Sequence, residues 1–248
     1  MSGHNRWSKI KHKKAATDAK KSKGWTKFLK EITVAARMGG GEMDSNARLR
    51  SAVDKARADN MPNDTIQRAI KKGSGELEAV TYEDLIYEVY GPGGTAVVVE
   101  ILTDNRNRTA SELRHLIERS NGKLAASGSV LYQFKKRGTI VFESGTVDED
   151  KLMEAALEAG AEDFQSGEEV VQVLTEPGAY LDVKEKLVKL GFKPAGGEVA
   201  LVADVHKRVE GKEAEQVARL INNLEDHDDV QNVYSNADID EEVLDAVG

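Results

Sequence analysis

Apolar and polar positions alternate with two different periods along this chain, and the change of period divides it. Trp25, Phe28, Leu29, Ile32 and Ala36 recur at helical spacing and predict one amphipathic helix, which Gly39-Gly40-Gly41 should stop. A second helix is expected from about Asn46 to Asp59, with Leu49, Val53 and Ala56 on one side. "NMPND" breaks the chain, Pro62 suits the first turn of a third helix, and Ile66, Ala69 and Ile70 form its inward face. From Lys13 to Lys23 the residues are polar with Ala, so a helix there has little to bury.

Beyond residue 80 the period becomes two. "YEDLIYEVYGPGGTAVVVEILTDN" reads as two strands around a tight turn. "TASELRHLIERS" reads as a helix in which Thr109 and Glu112 have capping-box spacing, and "SVLYQF" as a further strand. The order then becomes strand ("GTIVFES"), helix (150–159), strand near Phe164, strand ("EEVVQVLTE"), helix (178–190), strand ("GEVALVADV"). That is the β-α-β-β-α-β order of ferredoxin-like units. One helix (212–224) and one strand ("DVQNVYSN") remain, and alone they cannot bury their apolar faces. The economical arrangement returns them to the earlier β-β-α-β unit.

The expected fold is therefore multidomain, α and β. A helical bundle at 1–76 precedes a discontinuous α+β domain (77–134 plus 207–248), with a ferredoxin-like α+β domain (135–206) inserted in it. "KKRG" at 135–138 marks the junction and reads as a charged linker.

Charge sharpens this division. The chain has formal charge −8, yet residues 1–72 carry 18 Lys/Arg against 7 Asp/Glu, and the remainder 17 against 36. Screening acts over about 8 Å at physiological salt, so a polyanion responds to the nearest charges and not to the total. Such asymmetry points to a nucleic-acid partner. Arg6, Trp7, Lys9, Lys11, Lys13, Lys14, Lys20, Lys21, Lys23, Lys27 and Lys30 are the expected contacts. The lysines would hold phosphate, Arg6 would support them, and Trp7 would stack on a base. Trp25 begins the apolar stripe and is assigned to the core. Secondary candidates are Arg48, Arg50, Arg68, Lys71 and Lys72. A further set is the polar loop "TDNRNRT", with Asn105, Arg106, Asn107 and Arg108 at a helix N-terminus.

Catalytic and cofactor chemistry finds no support. The chain has no cysteine, which excludes disulfides and thiolate ligands. "GPGG" lacks a Walker lysine and reads as a hairpin turn. The five histidines show no His-Glu-x-x-His spacing. An EF-hand frame started at Asp226 puts Gln231 where Gly is needed and Ala237 where the bidentate Glu belongs, so "EDHDD" reads as a solvated acidic turn. No catalytic residue, metal or cofactor is assigned. The basic start is followed by no apolar h-region and is rich in Lys, not in Arg and Ser, so a secretory or mitochondrial leader is not expected. No stretch approaches a membrane span, and a cytoplasmic location is the expectation.

"MSGHNRW", "IKHKKAATDAKKSK", "TKFLKEITVAAR", "NMPNDTIQRAIKKG", "YGPGG", "LTDNRNRT" and "LEDHDDVQNVYSN" together resemble the YebC/PmpR family, in order along the entire chain. The resemblance implies an N-terminal helical domain and two α/β domains, one inserted in the other, around a concave acidic face. It implies a non-enzymatic regulator of gene expression. Bacterial members are described as DNA-binding transcriptional regulators, while others, including mitochondrial ones, act in translation on the ribosome. Met43 stands where the family commonly has proline, and Val89 where it has glycine before "YGPGG". The acidic α/β portion is a candidate surface for a protein partner.

Overall fold

The computed structural model describes residues 18–75, 81–167 and 170–247. Helix α1 (Asp18–Gly39) presents Trp25, Phe28, Leu29, Ile32, Ala35 and Ala36 to α2 (Ala47–Ala58) and α3 (Asn63–Gly73). Asn46 joins the first two. Its Oδ1 accepts from Leu49 N at 3.0 Å as the N-cap of α2, and its Nδ2 donates to the carbonyls of Ala35 (2.7 Å) and Gly40 (2.8 Å) at the end of α1. Pro62 precedes α3 as its N-cap and does not fall inside its first turn. Gly73 is required by contact: a Cβ there would lie 2.3 Å from the Thr33 carbonyl oxygen of α1.

The remainder, called the body below, is two antiparallel sheets. The first has the order β3-β1-β2-β9, from β1 (Glu83–Tyr90), β2 (Ala96–Thr103), β3 (Lys123–Leu124) and β9 (Val230–Ser235). The strand from 230–235 thus pairs with a strand more than a hundred residues earlier. Helices α4 (Arg106–Arg119) and α7 (Gly211–Glu225) supply Leu113, Ile117, Val217, Ile221 and Leu224 to the core over Val97, Val99 and Ile101. The second sheet has the order β5-β6-β4-β7, from β4 (Phe134–Glu143), β5 (Asp163–Ser166), β6 (Val170–Thr175) and β7 (Gly196–Ala203). Helices α5 (Glu149–Ala159) and α6 (Tyr180–Lys189) lie on it, giving a ferredoxin-like unit. A parallel pair of two-residue strands, β8 (Lys207–Arg208) and β10 (Ala237–Asp238), and a last helix, α8 (Glu241–Val247), complete the described fold.

Strand β2 is buried on both faces. Val97, Val99 and Ile101 meet the helices, while Ala96 and Val98 meet Val130, Phe134, Ala200, Leu201, Ala203 and Tyr234. The two sheets are joined through that second cluster.

Three local expectations are corrected. "SVLYQF" is not a strand before its last residue, Phe134, which opens β4. Leu131–Gln133 is a 3₁₀ turn, because the Glu88 carboxylate, 4% exposed, takes the backbone N–H groups of Gly128, Val130 and Leu131 that a ladder would need. "KKRG" is not a linker. It lies in β4, where Lys135, Lys136 and Arg137 pair with Val202, Leu201 and Ala200 of β7. The cap of α4 is Asn105, which accepts from Arg108 N at 3.1 Å, so Thr109 lies one turn inside the helix and is buried.

Candidate nucleic-acid interface

The candidate cations fall into two groups once the fold is in place. Arg68 and Lys71 on α3 are exposed and Lys72 is half-buried, and none of the three makes an ion pair among the described residues. Their position near the helix C-terminus also suits the helix dipole. Lys20, Lys21 and Lys23 belong to the first turns of α1. Arg6, Trp7, Lys9, Lys11, Lys13 and Lys14 lie outside the described residues.

The second group is engaged within the protein. Arg50 donates to the carbonyls of Met43 (3.0 Å) and Asp44 (2.7 Å), tying down the turn before α2. Arg48 forks onto Glu31 (2.7 and 3.0 Å) and reaches Asp84 of β1 at 3.3 Å. Lys55 pairs with Glu198 of β7 at 2.8 Å. Lys27 donates to the Glu225 carbonyl at the end of α7.

Lys30 enters a knot around a buried carboxylate that unites residues far apart in the chain. Its Nζ lies 2.6 Å from Asp229 Oδ1 and 3.0 Å from the Asp228 carbonyl. The other oxygen, Oδ2, accepts from Arg108 at 2.9 Å and from the Thr109 hydroxyl at 2.7 Å. Thr103 lies 2.7 Å from Thr109 and accepts from Asn105 N at 2.9 Å, and Arg108 also meets Asp104 at 2.9 Å. Asp229 is 2% exposed, so "EDHDD" is not a wholly solvated turn. Burial alone would raise its carboxyl. The hydrogen bonds from Lys30, Arg108 and Thr109 outweigh that and hold it well below the usual carboxylate range. The knot joins α1 of the bundle to α4 and the start of β9 in the body. Lys27, Lys30, Arg48, Arg50 and Arg108 thus serve the fold in this arrangement.

Glu112, His227 and Asp229 have ligand atoms within 4.8 Å of one another. A metal ion there would have to displace the two cations already on Asp229, so the donor set does not favour one. Arg106 and Asn107 stay exposed on α4. Asn107, Ala110, Ser111, Arg114, His115 and Glu118 line an open groove of about 300 Å³ along the same helix. Arg114 is an addition that helical spacing from Asn107 could have suggested.

Two family models match in tandem. The TACO1/YebC N-terminal domain covers residues 5–76, and the TACO1/YebC second and third domain covers 82–237. The chain belongs to the TACO1/YebC family. Among its TACO1/YebC relatives, a probable transcriptional regulatory protein of Geotalea uraniireducens is 54% identical over 99% of both chains. One of the same description from Shewanella oneidensis is 53% identical over the full length of both. A crystal structure of a conserved hypothetical protein from Aquifex aeolicus superposes with a TM-score of 0.81 at 45% identity, covering 92% of this chain and 94% of that one. The N-terminal TACO1/YebC model spans every basic candidate from Arg6 to Lys72, while Asn105–Arg108 fall in the second. Among the described residues, no helix is long and apolar enough to cross a membrane.

Proposed function

We propose that this protein is a non-enzymatic, cytoplasmic regulator of gene expression that grips nucleic acid through its N-terminal helical module, with duplex DNA as the first target. The observation that carries this reading is the division of charge: 18 Lys/Arg against 7 Asp/Glu in residues 1–72. It is supported by Arg68, Lys71 and Lys72, which stand without ion-pair partners on α3 among the described residues. The relatives named as probable transcriptional regulatory proteins support the regulatory role. Lys9, Lys11, Lys13, Lys14, Lys20, Lys21 and Lys23 supply phosphate contacts with Arg6 and Trp7, and Arg68, Lys71 and Lys72 extend them. Arg106 and Asn107 form a secondary patch on the body. Lysine is a point charge that positions a backbone and discriminates poorly among bases.

That same chemistry favours a second reading, binding to rRNA on the ribosome as a translation factor, because lysine contacts do not distinguish duplex DNA from structured RNA. Anisotropy titrations of a DNA duplex and a structured rRNA fragment at matched salt, with ribosome sedimentation beside them, separate the two. Lys11→Ala/Lys13→Ala/Lys14→Ala should weaken binding to every sequence alike. A loss confined to one sequence overturns their assignment as phosphate contacts.

A further inference from the structure

The bundle's apolar core runs from Trp25 to Ile70 and includes no residue of the body. Among the described residues, polar contacts tie the bundle to the body. The Asp229 knot centres on a buried carboxylate, with Lys30 at 12% and Arg108 at 44% exposure around it. Lys27, which donates to the Glu225 carbonyl, and Arg37, which donates to the Thr81 hydroxyl at 3.0 Å, lie on the α1 side. Two exposed ion pairs come from a single further helix: Arg48 to Asp84, with side chains 38% and 54% exposed, and Lys55 to Glu198, at 45% and 28%. Arg48 and Lys55 are seven residues apart, two helical turns, and so project from the same side of α2. One reaches β1 in the first sheet and the other β7 in the second, so α2 is tied by side chains to both sheets.

We propose that Asp84 and Glu198 act as a resident substitute for phosphate. They latch α2 onto the body, and a bound polyanion replaces them while the Asp229 knot keeps the bundle tethered. The latch is an autoinhibitory contact. A carboxylate and a phosphate oxygen present the same acceptor chemistry to a guanidinium or an ammonium group. Exposed pairs are open to exchange in solution, whereas Asp229, with donors on both oxygens, is not. On release Lys55 becomes available to the polymer, and Arg48 keeps Glu31 and gains phosphate as a further partner. The proposal rests on the phosphate-gripping reading above.

The test uses the full chain with Asp84→Asn/Glu198→Gln, titrated with a DNA duplex between 50 and 200 mM salt. Opening the latch should tighten binding roughly fivefold, from two exposed pairs. It should also steepen the log–log salt dependence by about 0.9 for each phosphate newly neutralised. Glu154→Gln/Glu158→Gln on α5 is the control, since it removes the same charge at exposed positions away from the bundle. An equal gain from the control, or no gain from the latch variant, overturns the proposal. A carbodiimide crosslink between Lys55 and Glu198 gives the second readout. Its yield should fall when the duplex is added and also as salt rises, and a yield constant under both overturns the latch. If the wild-type chain binds no nucleic acid, the phosphate reading fails, and the salt dependence of the crosslink still decides whether the latch exists.

Discussion

The knot around the buried Asp229 carboxylate and the exposed latches on α2 are built from the same charges, yet their surroundings give them opposite uses. In the knot, a carboxylate 2% exposed meets Lys30, Arg108 and Thr109 within 2.9 Å. Removing one partner of a buried pair leaves an uncompensated charge and costs about 3–5 kcal/mol. In the latches, water competes for both partners, and such pairs contribute about 0.2–1 kcal/mol each. Ion pairs are thus a fixed joint in one place and an exchangeable contact in the other. The cations do not separate the two, since Arg108 at 44% is as exposed as Lys55 at 45%; what decides is solvent access to the carboxylate side chain, 3% for Asp229 against 54% for Asp84 and 28% for Glu198.

The sharpest way to break the comparison is at the knot. Asp229→Ala should cost about 3 kcal/mol in chemical denaturation of the full chain. A cost below about 1 kcal/mol would place the knot with the latches. Acid offers the same test without mutation. The Asp229 carboxyl is held below its ordinary value, so its contribution is complete above about pH 4 and is lost as pH falls toward the folded-state value. Asp229→Asn should remove that part of the acid destabilisation, and an unchanged pH–stability curve would contradict the assignment.

Glu88 sharpens the contrast, being a buried carboxylate satisfied by backbone N–H groups and no cation. Glu88→Ala strands those donors and should cost about 2 kcal/mol in the same assay. It should also speed amide exchange at Gly128, Val130 and Leu131, and unchanged exchange would show that the turn holds itself. The smallest effect belongs to Lys55→Ala: at most about 1 kcal/mol at low salt and nothing at high salt. A salt-independent loss would show that Lys55 acts by packing.

Periodicity made the elements legible and left the joints hidden. Leu49, Val53, Ile66 and Ile70 declared their helices because burial repeats with the helical turn, and the β-α-β-β-α-β run declared a ferredoxin-like unit. Asp229 was not legible. In "EDHDD" it looks like its neighbours, and only its place directly before the buried Val230 of β9 sets it apart. Lys30 and Arg108 were visible as cations, but their use within the fold depends on a carboxylate far away in sequence. "KKRG" misled because charge outweighs strand pattern locally, while Lys135 and Arg137 find Asp204 across the sheet. "SVLYQF" misled because the Glu88 side chain, 42 and 43 residues before Val130 and Leu131, claims their backbone donors.

The central claim is that the helical module supplies the main grip on phosphate, with the body contributing no more than the Arg106 and Asn107 patch. Equilibrium binding of the full chain to a DNA duplex and to structured rRNA, followed from 50 to 200 mM salt, tests it most directly. With six or so phosphates neutralised, affinity should fall about 10³-fold over that range for the polymer it targets. A flat titration on both would contradict the account.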